Sequence, residues 1–375
     1  MVEMKEKKIA LVHDFLVSYG GAERVFQELC AMFPEAPIYT LLADTKMVGE
    51  HFSGRNIRTS WLGKLPRFIQ KRYRLFLPFF PAAVESLDLR EFDLVISSSG
   101  AWSKGIITRL NTTHIAYLHS PMRYAWDYHE SYLEELGARG KRNIFTRMLI
   151  SYLRIWDRQA AERPDVLLAN SEFTAERIKK YYRRDAEVVY PSVTLNSREQ
   201  QGGNAEKRHH FLIVSRLTRS KKVASVVEAF NKLGLPLVIA GTGPEEKHLK
   251  KIAGKNIRFV GFVEDEKLVE LYRSARALIF PSEEDFGMVA AEALSFGTPV
   301  VGLEYGGIRE IVVSGEMGET FHDAAPEIIA EGVRRFLEKE GTYDEVAMKE
   351  SVKCFSKEQF QEGMKKVLDG LISNS

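Results

Sequence analysis

Two glutamates flank a turn between an apolar strand and a helix in the second half of the chain. Glu284 and Glu292 are separated by seven residues, and Gly287 marks the turn. The open backbone amides at the start of this helix, from about Phe286 to Met288, form an anion site that suits a diphosphate. A carboxylate on each side can then bind hydroxyls, one on a sugar and one on a ribose. The alternative is that Glu284 caps the helix and Glu292 lies on its solvated face.

A second loop carries closely spaced cations. Arg216 and Lys221 lie five positions apart, just beyond the first strand of the second half, in the segment Arg-Leu-Thr-Arg-Ser-Lys. Two fixed cations there would neutralise a departing diphosphate, most strongly as negative charge develops in the transition state. The alternative is a solvated basic loop, because Arg219 and Lys222 lie beside Arg216 and Lys221, and the four cations cannot all bind phosphate.

The first half offers a histidine and a glycine pair. His119 follows a predicted strand, and ligands of α/β proteins bind at the carboxyl ends of parallel strands; a purely structural histidine is the alternative. Gly20 and Gly21 follow another strand and open a helix, so the backbone could approach a phosphate or a substrate closely. The pair lacks the full Gly-x-Gly-x-x-Gly fingerprint, so a simple turn requirement is the alternative.

These side chains need a scaffold of parallel strands. Short apolar strands alternate with amphipathic helices in both halves, which predicts an α/β fold twice over, with parallel sheets covered by helices. The predicted strands of the first half are 9–12, 94–96, 115–118 and 166–169. Those of the second half are 211–214, 237–240, 257–260, 277–280 and 300–303, and its predicted helices are 223–233, 267–273, 288–296 and 357–372.

The length of the chain predicts two domains. At 375 residues, the chain is long enough for two cores and a cleft between them. Residues 197–210 are polar, contain a Gly-Gly pair and have no periodicity, which predicts a linker or an exposed loop. We therefore expect an N-terminal domain over 1–195, a second domain over 205–352, and a C-terminal helical segment, 353–375, that packs back toward the N-terminal domain.

Composition excludes several classes of protein. The chain is 45% hydrophobic and 28% charged, with a net charge of +2, which excludes fibrous and disordered classes and argues against nucleic-acid binding. No apolar run approaches the length of a membrane span, and no leader pattern precedes the first strand, so we expect a cytoplasmic protein. Cys30 and Cys354 are expected to be reduced.

One segment has an unusual balance of charge. Residues 55–84 contain seven lysines and arginines and no acidic residue, and between 61 and 80 these cations alternate with aromatic and aliphatic side chains. Such a segment could lie on an anionic membrane surface, at the inner face of the membrane. The alternative is that its apolar side chains line the domain core and its cations are solvated.

Five ordered motifs give the whole chain a family resemblance. They are His13-Asp14 with Gly20-Gly21-Ala22-Glu23-Arg24, then 119–127 (His-Ser-Pro-Met-Arg-Tyr-Ala-Trp-Asp), Ser215-Arg216-Leu217 with Lys221, Gly241-Thr242-Gly243-Pro244, and the segment from Glu284 to Glu292. With these motifs the chain resembles the retaining glycosyltransferases of family 4. That family has the GT-B fold, two Rossmann-like domains that face a cleft, and the resemblance is greatest to its mannosyltransferase-like members.

The resemblance implies a role for the donor-binding residues of the second half. Glu284 would contact the hydroxyls of the transferred sugar, and Glu292 would contact the ribose of the nucleotide. Arg216 and Lys221 would neutralise the diphosphate. Val263, in the loop 261–263, would meet the nucleotide base through backbone atoms.

The resemblance also implies roles in the first half. His119 would lie beside the donor sugar as a catalytic residue together with Glu284. Gly20 and Gly21 would flank the donor diphosphate and the acceptor.

The activity that the resemblance implies is transfer of a hexose with retention at the anomeric carbon. The expected donor is a nucleotide sugar, GDP-mannose, and the expected acceptor is a glycan, including one linked to a lipid. We expect no cofactor and no metal, because the sequence has no Asp-x-Asp motif and no His-Glu-x-x-His spacing. The alternatives are a UDP-sugar-dependent transferase, a sugar-nucleotide epimerase, and a non-catalytic protein that binds a membrane or a partner.

Overall fold

The chain forms two compact units. The computed structural model describes residues 7–70, 72–127, 144–193 and 208–373. Unit 1 comprises residues 1–192 together with 360–375, and unit 2 comprises residues 193–359. Of the predicted linker 197–210, residues 197–207 lie outside the described residues. Its last residue, His210, begins a strand and is buried, so the prediction was wrong at that end.

Unit 1 is built on a parallel sheet. Its strands are β1 (Ile9–Leu16), β2 (Ile38–Ala43), β3 (Ile57–Thr59), β4 (Leu94–Ser99), β5 (Thr113–Leu118), β6 (Val166–Ala169) and β7 (Glu187–Val188). They pair in the order β3-β2-β1-β4-β5-β6-β7. All six residues of β4 are buried, as expected for a central strand covered on both faces.

Unit 1 also contains the helices α1 (Gly21–Met32), α2 (Thr45–His51), α3 (Arg67–Gln70), α4 (Phe80–Glu85), α5 (Ile144–Ala160) and α6 (Glu172–Tyr182). Two of them, α2 and α6, begin at a side chain that accepts backbone amides. The Asp44 carboxylate accepts the Lys46 and Met47 amides at the start of α2, and Ser171 Oγ accepts the Thr174 amide in α6. The helix predicted after Gly20 and Gly21 is α1, which buries Val25, Phe26 and Leu29.

Unit 2 is built on a second parallel sheet. Its strands are β8 (His210–Val214), β9 (Leu237–Ala240), β10 (Ile257–Gly261), β11 (Ala275–Phe280), β12 (Val300–Leu303) and β13 (Gly318–Phe321), in the order β10-β9-β8-β11-β12-β13. Its helices are α7 (Val223–Leu233), α8 (Glu246–Ile252), α9 (Asp265–Ser274), α10 (Met288–Ser295), α11 (Pro326–Lys339) and α12 (Glu345–Ser351). The prediction of an α/β fold twice over is confirmed.

The last helix, α13 (Lys357–Ser373), belongs to unit 1 from Phe360 onward. The Phe360 ring lies 5.9 Å from the Tyr117 ring at the end of β5, in an edge-to-face contact. Phe360 is therefore part of the apolar packing of unit 1.

Short 3-10 helices connect several of these elements. They are Trp61–Lys64, Tyr73–Phe79, Ser103–Gly105, Arg219–Lys221, Gly307–Glu310, Glu340–Thr342 and Lys353–Phe355. The first two break the basic segment 61–80 into separate turns, with Pro78 inside the second. No described helix is both long and apolar enough to cross a bilayer.

Candidate active site

In unit 2, a lysine and a glutamate from adjacent strand ends form an ion pair. Lys221 Nζ lies 2.6 Å from Glu284 Oε1, and both side chains are largely buried. Lys221 follows β8, and Glu284 follows β11, which pairs with β8. Ser282 Oγ also donates to Glu284 Oε1, at 3.3 Å. These contacts fix one carboxylate oxygen beside a cation at the carboxyl edge of the sheet.

The backbone around Glu284 is held by two glycines. Gly306 forms a bridge with Glu284, and the Gly307 amide donates to the Glu284 carbonyl at 3.0 Å. Gly306 has a φ of +89°, and a Cβ there would lie 2.4 Å from the Glu284 carbonyl oxygen. A Cβ at Gly307 would lie 2.3 Å from the Asp285 carbonyl oxygen. Only glycine lets these two segments approach so closely.

The helix after Glu284 begins at a glycine, as the sequence predicted. Gly287 has a φ of +104° and precedes Met288, the first residue of α10, so the N-cap residue of this helix has no side chain to cap it. Glu284 therefore does not cap α10, contrary to one alternative. Phe286 is buried, and its ring lies 5.0 Å from the Phe355 ring. Its side chain anchors the turn, so any ligand contact at this position comes from the backbone.

Glu292 is a buried carboxylate. Its side chain is only 4% exposed, and its Oε2 accepts a hydrogen bond from the Tyr272 hydroxyl at 2.8 Å. The alternative of a solvated helix face is therefore wrong. Tyr272 lies on α9 and stacks against Phe296 at 5.7 Å. Buried carboxylates are retained where their oxygens have polar partners.

The four cations of the loop 216–222 have different surroundings. Arg216 is exposed, and among the described residues its side chain makes no hydrogen bond or ion pair. Arg219 lies 3.5 Å from Glu245, and Lys222 is exposed with a φ of +53° at the start of α7. Of these four cations only Lys221 reaches Glu284, while no contact brings Arg216 to the same point.

Neighbouring loops lie at the same edge of the sheet. Gly241, after β9, has a φ of +131°, and a Cβ there would lie 1.9 Å from the Ser215 carbonyl oxygen after β8. The Gly241 amide donates to the Gly261 carbonyl at the end of β10. Val263 follows as a half-buried residue beside the exposed Phe262. The structure therefore places Val263 at the carboxyl edge that also carries Lys221 and Glu284.

In unit 1, His119 belongs to a hydrogen-bonded cluster at the carboxyl edge of the sheet. Ser98 Oγ lies 2.8 Å from His119 Nε2 and 3.0 Å from His13 Nδ1. His13 Nε2 in turn lies 3.6 Å from Glu23 Oε1. His119 is half-buried, whereas His13 is 3% exposed and stacks on Phe26 at 4.6 Å.

Glu23 is the charged end of this cluster. Burial raises the pKa of the Glu23 carboxyl, but the hydrogen bond and the charge of His13 outweigh burial, so that pKa lies below its ordinary value. Gly20, before α1, has extended backbone, and a Cβ there would lie 3.3 Å from Glu23 Oε2. Gly21, the first residue of α1, is exposed. Gly20 thus lies close to the Glu23 carboxylate, and its backbone angle is one that any residue adopts.

Asp14 and Ser98 also lie in this region, and no role was predicted for either residue. The Asp14 carboxylate accepts the amides of residues 100–103, at distances from 2.6 to 3.1 Å, and so holds the loop after β4. Ser98 lies in a run of three serines that ends β4. The signal for Ser98 in the sequence was this run of small polar residues at the end of an apolar strand.

The motif over 119–127 also contributes to the core of unit 1. Trp126 Nε1 donates to Asp157 Oδ2 at 2.8 Å, and Lys104 Nζ lies 2.6 Å from Asp157 Oδ1. Lys104 and Asp157 are fully buried, so each charge requires the other. Asp127 pairs with Arg177 of α6. These contacts hold the segment that follows His119.

A groove in unit 1 lies apart from the side chains around Glu284 and His119. It has a volume of about 770 Å³, is lined by residues of β2, β3 and 86–91, with Trp61, Lys64 and Arg109, and contains none of the predicted site residues. Within the described parts of the chain, no group of three or more His, Cys, Asp or Glu side chains is placed to hold a metal ion. Both cysteines are free.

Comparison with known proteins gives a family for both units. The model described as Glycosyltransferase Family 4 matches residues 19–197, and the model described as Glycosyl transferases group 1 matches residues 196–353. The chain belongs to glycosyltransferase family 4. The resemblance carried by the five motifs is confirmed.

The relatives of this family 4 chain differ in how much of it they match. An uncharacterized glycosyltransferase of Methanocaldococcus jannaschii is 36% identical over 137 residues, 34% of this chain and 35% of the relative. Alpha-1,3/1,6-mannosyltransferase ALG2 of Candida glabrata is 25% identical over 376 residues, 84% of this chain and 80% of the relative. The chain spans about a third to a half of the length of the first curated relatives it matches.

Solved structures show the fold of the family. Anabaena Alr3699/HepE, in complex with UDP and glucose, matches with a TM-score of 0.69 at 15% identity, over 97% of this chain and 100% of that chain. Together with the two parallel sheets, this likeness confirms the GT-B fold.

Proposed function

We propose that the protein is a retaining hexosyltransferase that moves mannose from GDP-mannose onto a glycan acceptor, including one linked to a lipid. Family membership supports the reaction class. The choice of mannose is supported by the resemblance to mannosyltransferase-like members and by the relative named as an α-1,3/1,6-mannosyltransferase, which spans most of the chain.

The observation that carries the proposal is the Lys221–Glu284 pair beside the start of α10. The pair puts a cation and a hydrogen-bonding carboxylate at the carboxyl edge of the sheet, next to a helix N-terminus. A diphosphate is stabilised by the cation and by helix amides, while a sugar hydroxyl donates to the carboxylate. Glu292, buried on the same helix, accepts a ribose hydroxyl in this proposal.

The proposed reaction leaves the anomeric configuration unchanged. The bond between the anomeric carbon and the β-phosphate oxygen breaks, and its electron pair stays on that oxygen. Lys221 and Arg216 neutralise the charge that develops there. The acceptor hydroxyl oxygen forms its bond on the same face, and its proton passes to the leaving phosphate oxygen. No metal and no covalent nucleophile takes part in this scheme.

Ligand-dependent thermal unfolding tests the donor-binding part. GDP, UDP, GDP-mannose and UDP-glucose are compared with and without EDTA, since a ligand at 100 times its Kd adds about 2.7 kcal/mol of stability. A GDP-selective shift that EDTA leaves unchanged and that Arg216→Ala removes is the expected result. A UDP-selective shift would mean that the donor is a UDP-sugar rather than GDP-mannose. No shift with any nucleotide would favour a non-catalytic protein.

Product analysis tests the reaction. Incubation of donor without acceptor should leave the sugar of the donor unchanged, whereas an epimerase would convert it. With acceptor, the new linkage should have the anomeric configuration of the donor. A glycosyl-enzyme adduct detected by mass spectrometry would contradict the scheme.

In unit 1, the proposal assigns His119 to contact with the donor sugar. The support is its position at the carboxyl end of β5 and the family motif it begins. His119→Ala should therefore lower kcat strongly while the protein stays folded. Transfer at the rate of the unchanged protein would remove His119 from the catalytic residues.

We also propose that unit 1 contacts an anionic membrane surface. In the segment 61–80, Leu62 and Phe80 are buried in the core, which the alternative expected, but Phe68, Leu75 and Phe79 are exposed. A second exposed stripe runs along α5, formed by Ile144, Phe145, Met148, Tyr152 and Ile155. Asp157, the one acidic residue of α5, is fully buried, while Arg147 and Arg158 are exposed. Apolar side chains flanked by exposed cations suit an anionic lipid surface.

Co-sedimentation with vesicles tests this contact. Vesicles with anionic phosphatidylglycerol should bind the protein, and purely zwitterionic vesicles should bind it less. Substitution of Phe145, Met148 and Ile155 by serine should reduce binding, whereas Val346→Ser, at an exposed position in unit 2, should not. Equal binding by all three proteins would contradict the proposal.

A further inference from the structure

The groove of unit 1 is lined by residues that have no role in the proposed reaction. Its volume of about 770 Å³ is that of a small-molecule site. Tyr39 of β2, Arg58 and Thr59 of the edge strand β3, and residues 86–88, 90 and 91 line it. Trp61 and other residues after β3 complete the lining together with Arg109. The groove is therefore a candidate for a second binding site.

The lining of the groove has a surplus of positive charge. Its charged residues are four cations and two carboxylates: Arg58, Lys64, Arg90, Arg109, Asp88 and Glu91. Arg90 donates to both oxygens of Asp88, each at 2.7 Å, and Arg58 donates to Glu91 at 3.0 Å. Lys64 and Arg109 make no hydrogen bond or ion pair with any residue that the structure describes. These two cations are left for an anionic ligand.

A buried hydroxyl adds a hydrogen-bond donor to these charges. Tyr39 is only 3% exposed, and its oxygen accepts a hydrogen bond from Arg58 Nη1 at 2.6 Å. Burial raises the pKa of this hydroxyl above its ordinary value, so the oxygen keeps its proton. Within the described parts of the chain, that proton has no acceptor. Since buried donors are normally paired, the hydroxyl suits an acceptor oxygen of a ligand in the groove.

The turn that carries Arg109 presents apolar side chains to solvent. The Thr112 amide donates to the Arg109 carbonyl at 3.1 Å, and Thr112 Oγ1 donates to the Phe92 carbonyl at 2.7 Å, which holds the turn against the rest of unit 1. Ile107 and Leu110 are exposed on either side of Arg109, and Leu110 is completely so. An exposed cation between exposed apolar side chains is typical of a surface that meets anionic lipid.

We propose that the groove binds a phosphate group through Lys64, Arg109 and the Tyr39 hydroxyl, and that on a membrane this phosphate belongs to a lipid headgroup. A phosphate monoester offers three acceptor oxygens for these three donors, whereas a carboxylate offers two. Ile107 and Leu110 then meet the acyl region. The lipid source rests on the membrane contact proposed above, but the phosphate site does not depend on it.

Glycerol 3-phosphate tests the phosphate site, because it has the headgroup phosphate without acyl chains. Its binding to the whole protein is measured by phosphorus NMR line broadening. The groove variant Lys64→Ala/Arg109→Ala should bind about tenfold more weakly, and Tyr39→Phe about fivefold. The matched control is Lys365→Ala/Lys366→Ala, which removes two exposed cations of α13 and changes the net charge equally. The control should bind the probe as the unchanged protein does.

The proposed donor site contains cations that can also attract this probe. Lys221→Ala separates the two sites, because binding in the groove should persist in this variant. Binding lost in Lys221→Ala but kept in the groove variant would overturn the phosphate site, as would equal losses in the groove variant and its control. Lys64 and Arg109 are exposed, so the groove variant should fold. Its stabilisation by GDP should be unchanged, so a failure of the groove and a failure of the proposed donor site give different results.

Vesicles distinguish the two sources of the phosphate. Phosphatidylcholine vesicles are compared with and without phosphatidic acid, which carries the same monoester as the soluble probe. The groove variant should bind the acidic vesicles about tenfold more weakly than the Lys365→Ala/Lys366→Ala control, and glycerol 3-phosphate should compete with these vesicles for the unchanged protein. Equal vesicle binding by the two variants would overturn the lipid source, even if the soluble probe binds as expected.

Discussion

The Lys221 ammonium lies 2.6 Å from the Glu284 carboxylate although 63 positions separate the two residues in the chain. Their strands, β8 and β11, are neighbours in the sheet of unit 2. Each side chain is therefore held where a ligand at the carboxyl edge would meet both charges. A hydroxyl that binds the carboxylate and an anion that binds the ammonium can be accommodated together.

Lys221 and its neighbour Lys222 should differ sharply in their contribution to transfer. Lys221→Ala removes the partner of Glu284 and should lower kcat/KM by about 100-fold, the effect of losing one preorganised charge. Lys222 is exposed with a left-handed backbone, which glycine adopts without strain, so Lys222→Gly should retain activity and fold. Steady-state kinetics of both variants make the comparison. Equal losses would mean that the loop contributes only its net charge.

The hydroxyl of Tyr272 should stabilise both the fold and the orientation of Glu292. Tyr272→Phe keeps the stacking on Phe296 but removes the 2.8 Å hydrogen bond, so the free energy of unfolding should fall by about 1 kcal/mol. Urea unfolding of the two proteins measures this loss.

Glu292→Gln should raise the KM for the donor more than it lowers kcat, because its proposed contact with ribose is made before and during the reaction. Steady-state kinetics with varied donor measure this effect. An unchanged KM in Glu292→Gln would contradict the ribose assignment.

Glycine at position 306 should matter more than glycine at another left-handed position. Gly306→Ala and Gly315→Ala both place a side chain at positive φ, +89° and +86°, which costs about 1–2 kcal/mol. A Cβ at 315 meets no atom within 4 Å, whereas one at 306 collides with the Glu284 carbonyl. Gly306→Ala should therefore unfold at lower temperature and also lose transfer activity. Comparable activity in the two variants would show that Glu284 tolerates displacement of its backbone.

Buried histidines should make the stability of the protein fall in mild acid. Burial, with a smaller contribution from the Arg184 and Arg163 charges, lowers the pKa of His114 to about 3. Its ordinary value is 6.5, so between these values the unfolded chain binds a proton that the folded chain does not. The stabilising effect is complete above pH 6.5, and stability decreases toward pH 3 by up to about 1.4 kcal/mol per pH unit from this group.

Substitution isolates the share of His114. His114→Gln should reduce the slope of unfolding free energy against pH between 6.5 and 4, whereas substitution of the exposed His322 should not. His210, whose pKa burial and nearby His209 and Arg258 lower to about 4, keeps part of the slope in both variants. Urea unfolding at several pH values provides the measurement, and an unchanged slope in His114→Gln would contradict the prediction.

Apolar patterning predicted much of the scaffold. The predicted strands 237–240 and 300–303 and the helix 223–233 match β9, β12 and α7 residue for residue. Other elements were missed. The strand β2 (Ile38–Ala43) was not predicted, and neither were β13 (Gly318–Phe321) and α11 (Pro326–Lys339). Edge strands such as β13 are short, and their pairing is decided by the neighbouring strand rather than by their own residues.

The sequence by itself determined the fold class, the family and the positions of Glu284, Gly287 and Lys221, because strand periodicity, glycine turns and ordered motifs are local properties of the chain. It did not pair Lys221 with Glu284, and it favoured neither burial nor exposure for Glu292. Those choices depend on which strands are adjacent and which helix face is covered. The tertiary structure decided them, because contacts between side chains distant in sequence follow from strand order and packing.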